Sequence, residues 1–286
     1  MKVVLVTGLS GSGKSVAVRA LEDSQFYCVD NLPPTFIPKV LNRLDIDGVE
    51  QVAIAVDART GRDIVVVPEI VREIRAMGFD VRIIFLDSSD ETLVTRYSES
   101  RRRHPMSQRL GEQATVLECV QAERLALDAL KPMAATIDTS GLFPNALRRW
   151  VMQTVEADGA KLTLVLETFG YKKGLPTDAD LVFDVRCLIN PHYDKDLRPL
   201  TGRDAPVEAF IEEDPLSAEL VDDIEAYLRK WLPTYLKEQR SYFTVAIGCT
   251  GGQHRSVYVA ETLAKRLGTK PLNEVESILI RHRSLD

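Results

Sequence analysis

Two stretches of this chain combine glycines, a basic residue and a hydroxyl at spacings that hold phosphate. The first is GLSGSGKS, comprising Gly8, Leu9, Ser10, Gly11, Ser12, Gly13, Lys14 and Ser15, and it fits G-x-x-x-x-G-K-[ST] in full. Glycines let a backbone curl until successive N–H groups face one anion. A helix starting near Lys14 adds positive potential at the same point. Lys14 then reaches the β- and γ-phosphates of a nucleotide, and the Ser15 hydroxyl holds Mg²⁺ beside a carboxylate from a strand end. Asp30 and Asp57 both qualify for that carboxylate, and the sequence does not choose between them. Further along, RYSESRRRHP carries Arg96, Arg101, Arg102 and Arg103. They suit a lid that neutralises a transferring phosphoryl group, or else a solvated basic helix face.

The second stretch is CTGGQHRS, Cys249–Ser256, which fits C-x-x-G-x-x-R-[ST]. Three uses are open to it. As a thiolate enzyme, Cys249 attacks a phosphate wrapped by N–H groups and Arg255. Gly248 then stands where such enzymes usually carry histidine, and only Asp194 or Asp196 offers a general acid. As a non-catalytic anion site, Thr250, Gly251 and Gly252 give close backbone approach, with His254 and Arg255 at a helix start. The third use is an ordinary glycine turn. RCLINPHYDKDLRPLTG adds Arg186, Asn190, His192, Arg198 and Thr201, residues that can read a sugar phosphate, above all a hexosamine 6-phosphate.

These residues need elements to position them. KVVLVTG, FYCVDN, QVAIAVDA, VRIIFLDSS and AATIDTS are short β-branched runs that suit parallel strands buried on both faces. Ser15 to Ser24 and Val65 to Met77 suit crossover helices. Four runs end in aspartate, at Asp30, Asp57, Asp87 and Asp138, the edge where open α/β sheets bind ligands. A second alternation runs through KLTLVLETFG, ADLVFDVRCLINP and SYFTVAIGCTGG. Pro206 to Lys237 reads as mostly helical, with Val221, Ile224, Tyr227, Leu228 and Trp231 as core. The expected fold is α/β: an N-terminal P-loop NTPase or kinase-like parallel sheet over 1–155, and a C-terminal α/β domain with the second anion loop over 160–286.

Composition narrows the class. With 286 residues, 45% hydrophobic, 27% charged and a net charge of −6, the chain does not bind nucleic acid by bulk electrostatics, although a local basic patch stays open. No apolar run approaches the roughly 20 residues of a membrane span. MKVVLVTG reads as a first strand and not as a signal peptide. The four cysteines, at 28, 119, 187 and 249, form no CxxC pair, so a reducing cytoplasm is expected, without disulfides or structural zinc.

The chain resembles the RapZ family of P-loop nucleotide-binding proteins along nearly its whole length. The likeness rests on GLSGSGKS, ALEDSQFYCVDNLP, DAR at Asp57–Arg59, RYSESRRRHP, ETFGYKKGLPTDADLVFDVRCLINPH, LRPLTG and AIGCTGGQHRSVYVAE. The resemblance implies a domain that binds ATP or GTP and hydrolyses them slowly, with a second nucleotide contact at Asp57, Ala58, Arg59 and Thr60. It implies a C-terminal domain that recognises an amino-sugar phosphate such as glucosamine 6-phosphate, a homo-oligomer, and, in some members, small RNA presented to a ribonuclease. RNA-binding members finish in a run of lysine and arginine, whereas this chain ends ILIRHRSLD, with Arg281, His282 and Arg283. Three functions follow: a nucleotide-binding regulator, a small-molecule P-loop kinase, and a cysteine-dependent phosphatase. Rapid phosphorylation of a small acceptor would single out the kinase. Slow hydrolysis without an acceptor would single out the regulator.

Overall fold

The computed structural model describes residues 1–56, 66–111, 113–156, 162–235, 242–272 and 275–285. The chain divides into two compact units, Met1–Glu156 and Ala157–Asp286.

In the first unit the strands are β1 (Lys2–Gly8), β2 (Tyr27–Val29), β3 (Gln51–Ala55), β4 (Asp80–Asp87) and β5 (Ala135–Asp138). They pair in parallel in the order β2-β3-β1-β4-β5. The helices are α1 (Lys14–Asp23), α2 (Ile37–Ile46), α3 (Val67–Ala76), α4 (Asp90–Ser100), α5 (Ser107–Leu110), α6 (Val116–Leu127) and α7 (Pro144–Glu156). Strand periodicity sends alternate residues to opposite faces. Val3, Leu5, Ile83 and Phe85 pack with Leu41, Ile70 and Val120 of α2, α3 and α6. Val4, Val6, Ile84 and Leu86 pack with Leu21 of α1 and Trp150 of α7. Both faces are covered, which is why the strands read as continuous apolar runs. This arrangement, with the loop after β1 opening α1, is a P-loop kinase-like α/β fold.

The second unit has β6 (Leu162–Gly170), β7 (Leu181–Asp184), β8 (Tyr242–Cys249) and β9 (Val275–His282), with α8 (Ala205–Glu212), α9 (Pro215–Tyr235) and α10 (Arg255–Thr269). The strands pair in parallel in the order β7-β8-β6-β9. Leu164, Leu166, Val245 and Ile247 pack against Ile211, Val221, Ile224, Leu228 and Leu263. The mostly helical stretch holds two helices, because Asp214 and Pro215 start a new one, and Asp214 Oδ1 accepts from Leu216 N. Val221, Ile224 and Leu228 are core as expected, but Tyr227 and Trp231 are not: Trp231 is 42% exposed. They form an aromatic ridge, with Tyr227 edge-on to Phe183 and 6.4 Å from the Trp231 ring. Strand β9 is absent from the sequence reading. SILI was its signal, but the run is short and only half-buried.

Candidate functional sites

The first site begins at the C-terminal end of β1. Gly8 has φ +134°, and a Cβ there would lie 2.1 Å from the Leu86 carbonyl oxygen. The loop can therefore lie against β4, where Leu9 N donates to Leu86 O at 3.1 Å. Gly13, at φ +104°, would drive a Cβ to 2.8 Å from Leu147. Among the described residues no backbone carbonyl accepts from the N–H groups of Gly11, Gly13 or Ser15. Lys14 Nζ curls over the loop to Gly8 O (2.7 Å) and Leu9 O (3.1 Å). This is a curled N–H cradle at a helix start with an ammonium above it, and its shape and charge fit a polyphosphate.

A cleft of about 420 Å³ opens here, lined by Ser10, Gly11, Gly13, Lys14 and Ser15 and, from the arginine segment, by Arg96, Arg102 and Arg103. Arg96 is drawn against the loop, donating to Gly11 O (2.9 Å) and Thr139 O (2.7 Å). Burial lowers its pKa despite the Asp138 and Glu99 carboxylates. Arg101 takes a different role: it caps α4 at φ +52° and is not among the cleft-lining residues.

The strand-end aspartates separate. Asp87 is buried and held by Arg124 (2.6 Å) and Lys131 (2.7 Å), so the chain itself neutralises this carboxylate. Asp138 accepts from the Ser140 N–H and hydroxyl. Asp30 is exposed past the end of β2, with β3 between that strand and β1. Two strand spacings are roughly 10 Å. Asp57, Ala58, Arg59 and Thr60 lie outside the described residues. For Mg²⁺ the described residues supply Ser15 at the cleft and no cluster of three acidic, His or Cys ligands.

Sequence reasoning missed what lies under the loop. Glu123 on α6 is fully buried, and it accepts from Ser10 N and Ser10 Oγ, each at 2.7 Å. His104 Nε2 lies 3.3 Å from the same carboxylate. Burial alone would push the Glu123 carboxyl up. The His104 contact, the Lys14 charge and the Ser10 bonds outweigh it and hold the pKa below the ordinary value. The signal was present in VLECVQAERLAL, where Glu123 interrupts the stripe of Val116, Cys119, Val120 and Leu127.

The second site follows β8. Gly170 and Gly252 let the loop lie on β6: a Cβ on Gly170 would be 2.7 Å from the Gly251 carbon. Gly248 has a steric reason to be glycine, since a Cβ would come within 2.4 Å of Phe169 and 2.7 Å of Tyr171. The histidine of thiolate phosphatases has no room there. Cys249 Sγ accepts from Gly252 N and meets Ser256 Oγ, both at 3.2 Å. Burial would raise the thiol pKa, but these bonds and Arg255 lower it below 9.0. Among the described residues the N–H groups of Thr250, Gly251 and Gln253 meet no backbone carbonyl. The geometry therefore fits an anion.

The side chains expected around that anion are partly engaged elsewhere. Arg255 is buried and donates to Arg186 O (2.8 Å), Leu188 O (3.1 Å) and Thr250 Oγ1 (3.1 Å). Three of its five N–H donors thus clamp the segment after β7 to the loop. His254 is buried, its Nε2 3.2 Å from Leu197 O, and burial lowers its pKa. Thr201 bonds the Asp204 carboxylate that precedes α8, and Asn190 Oδ1 accepts from His192 N. Arg198 donates to His192 O, and the His192 ring lies 6.4 Å from that of His254. The 197–202 segment does reach the loop, with Gly202 N donating to Gln253 O. Of the possible general acids, Asp194 is tied into a turn by Asp196 N. Arg186 pairs with Asp184 and covers the Tyr171 ring at 4.1 Å.

The C-terminal basic residues turn into the protein. Arg281 and His282 are each 1% exposed, and Arg283 pairs with Glu167 at 3.0 Å. They sit at the end of β9, where β6 and α10 enclose them, with His282 reaching Thr168 and Glu261.

Among the described residues no helix is long and apolar enough to cross a membrane. Residues 1–159 match the family model described as the RapZ-like N-terminal domain, and residues 162–286 match the RapZ C-terminal domain. A nucleotide-binding protein of Chromobacterium violaceum is 51% identical over 285 residues, covering 100% of this chain and 99% of that protein. A nucleotide-binding protein of Bordetella petrii is 50% identical, covering 99% of this chain and 97% of its own length. A solved sugar kinase from Janibacter is similar to 55% of this chain and 95% of that one, at 18% identity and a TM-score of 0.38. With both halves matched in order, the chain belongs to the RapZ family.

Proposed function

We propose that this protein is a nucleotide-binding regulator with slow ATPase or GTPase activity that senses an amino-sugar phosphate. The observation that carries the reading is the complete Gly8–Ser15 loop, with Gly8 and Gly13 where no Cβ fits and Lys14 over the cradle. Mg²⁺ arriving with the nucleotide supplies positive charge against the phosphates. Ser15 and one of Asp57 or Asp30 hold it, and Arg96, Arg102 and Arg103 face the phosphoryl end. Asp57 to Thr60 complete the nucleotide contacts.

In the second unit, Thr250, Gly251 and Gly252 take one compact phosphomonoester. Arg255 works mainly as the clamp that shapes the loop. Asn190, His192, Arg198 and Thr201 frame the sugar, glucosamine 6-phosphate being the proposed ligand. Cys249 is structural and its sulfur idle. The protein works in the cytoplasm as a homo-oligomer and passes its state to a partner. For small RNA destined for a ribonuclease, the exposed basic surface is Arg101–Arg103, so nucleotide and RNA compete where Arg102 and Arg103 line the cleft.

Calorimetry of the full chain tests the assignment. Lys14→Ala should weaken Mg²⁺–ATP or Mg²⁺–GTP by about ten- to a hundredfold, the loss of one charge-assisted contact. It should leave glucosamine 6-phosphate binding alone, and Arg255→Ala should do the reverse. Nucleotide affinity untouched by Lys14→Ala would overturn the first half; sugar-phosphate affinity untouched by Arg255→Ala would overturn the second. The Arg96–Arg103 cleft also favours a kinase, and rapid transfer to a small acceptor would install that reading instead.

A further inference from the structure

The structure assigns Glu123 as a positioning residue that fixes the phosphate loop and the arginine segment at one buried carboxylate; the role rests on the nucleotide reading above. Both oxygens are engaged: Oε1 accepts from Ser10 Oγ and Oε2 from Ser10 N. His104, which ends the run Arg101–Arg103, meets Oε2 from the other side. Its Nδ1 accepts from Met106 N at 3.1 Å, which turns Nε2 toward Glu123, within ion-pair reach of Oε2 but outside hydrogen-bond geometry. Tyr97 closes the frame, 4.9 Å from the His104 ring and 3.3 Å from where a Gly11 Cβ would be.

The anchor is itself braced. The next residue, Arg124, donates to Asp87, Asp90 and Ser88 O, which fixes α6 to the end of β4. That is the strand whose Leu86 O holds Leu9 N. A buried carboxylate is costly unless its acceptors are filled, and an apolar residue would be the ordinary occupant of this stripe. The phosphate loop fills this carboxylate through Ser10, and the arginine segment brings His104 to 3.3 Å from it. Both therefore keep one spacing, and loosening either loosens the other.

The test uses the full chain with Glu123→Gln, which keeps the size but turns one acceptor into a donor facing a donor. Hydrogen exchange of nucleotide-free protein should rise about tenfold or more over both Gly8–Ser15 and Arg101–Met106, and not in the second unit. Mg²⁺–ATP should bind about tenfold more weakly, with glucosamine 6-phosphate unaffected. Ser10→Ala should give a smaller effect of the same kind. The double variant should be no worse than Glu123→Gln alone, because the hydroxyl bond that Ser10→Ala removes is one that Glu123→Gln already disrupts. Unchanged exchange in Glu123→Gln, or additive effects in the double variant, would overturn the assignment. Should Glu123→Gln not fold, His104→Gln decides instead: exchange must rise over Gly8–Ser15 as well as over its own segment. A parent protein that binds no nucleotide would sink the nucleotide reading, and the exchange result would still decide whether Glu123 holds the loop.

Discussion

The two anion loops are built alike and anchored with opposite charge. Each follows a buried strand, opens a helix and needs glycine for its close approaches. The first is held from beneath by an anion, Glu123, leaving the cation Lys14 on top. The second is held by a cation, Arg255, whose donors are turned into the protein, and it carries no lysine. An ammonium over a cradle suits a multiply charged ligand that brings a metal. A cradle of N–H groups with its arginine engaged suits a single small phosphate.

The comparison breaks most completely at the glycines. Gly8→Ala should destabilise the first unit by roughly 2–6 kcal/mol, adding left-handed strain to a clash with the Leu86 carbonyl. Gly248→Ala meets aromatic side chains and not backbone, so it should cost the second unit about 1–3 kcal/mol. Thermal denaturation followed by calorimetry reads both, and equal losses would remove the distinction between a backbone and a side-chain wall.

A sharper comparison sets the two sulfurs side by side. Cys28 lies beside the first loop's helix α1, and burial with the nearby Glu22 pushes its thiol to about 11. The Cys249 thiol, against burial, is held below 9.0 by Ser256, Gly252 and Arg255. Alkylation rates against pH, followed by mass spectrometry, should therefore show Cys249 gaining reactivity at lower pH than Cys28. Cys249→Ser should shift sugar-phosphate affinity by no more than about twofold, the scatter of a polar swap that keeps the backbone. A phosphatase activity present in the parent and lost in that variant would make the sulfur catalytic and the second loop an enzyme site.

The last contrast concerns the metal. Asp30→Asn should change Mg²⁺-dependent hydrolysis by less than about twofold, because two strand spacings separate β2 from β1. Asp57→Asn should reduce it by about tenfold or more, a lost charged ligand. Equal losses would mean that both aspartates reach the magnesium.

The strands that bear both loops were legible in the sequence because their information is local. Buried parallel strands show as β-branched runs, and a glycine loop before a helix shows as a spacing. β6 and β8 were found this way, whereas β9, whose apolar run SILI is short, was not. Trp231 was misplaced for a related reason: helical spacing says which residues share a face, not whether another element covers it.

What the sequence by itself determined was the glycine-loop pattern of two segments, the α/β class and the family. Tertiary structure decided which charges remain available to a ligand. Glu123 meets Ser10 across 113 residues of chain, Arg124 and Lys131 neutralise Asp87, and Arg255 turns inward. Arg281 to Arg283, basic in sequence, end up enclosed behind the second loop. A residue's type fixes its charge and its donors, but the order in which strands pair and helices cover them decides where those groups point. That order depends on burying apolar faces throughout each unit, so no short motif contains it.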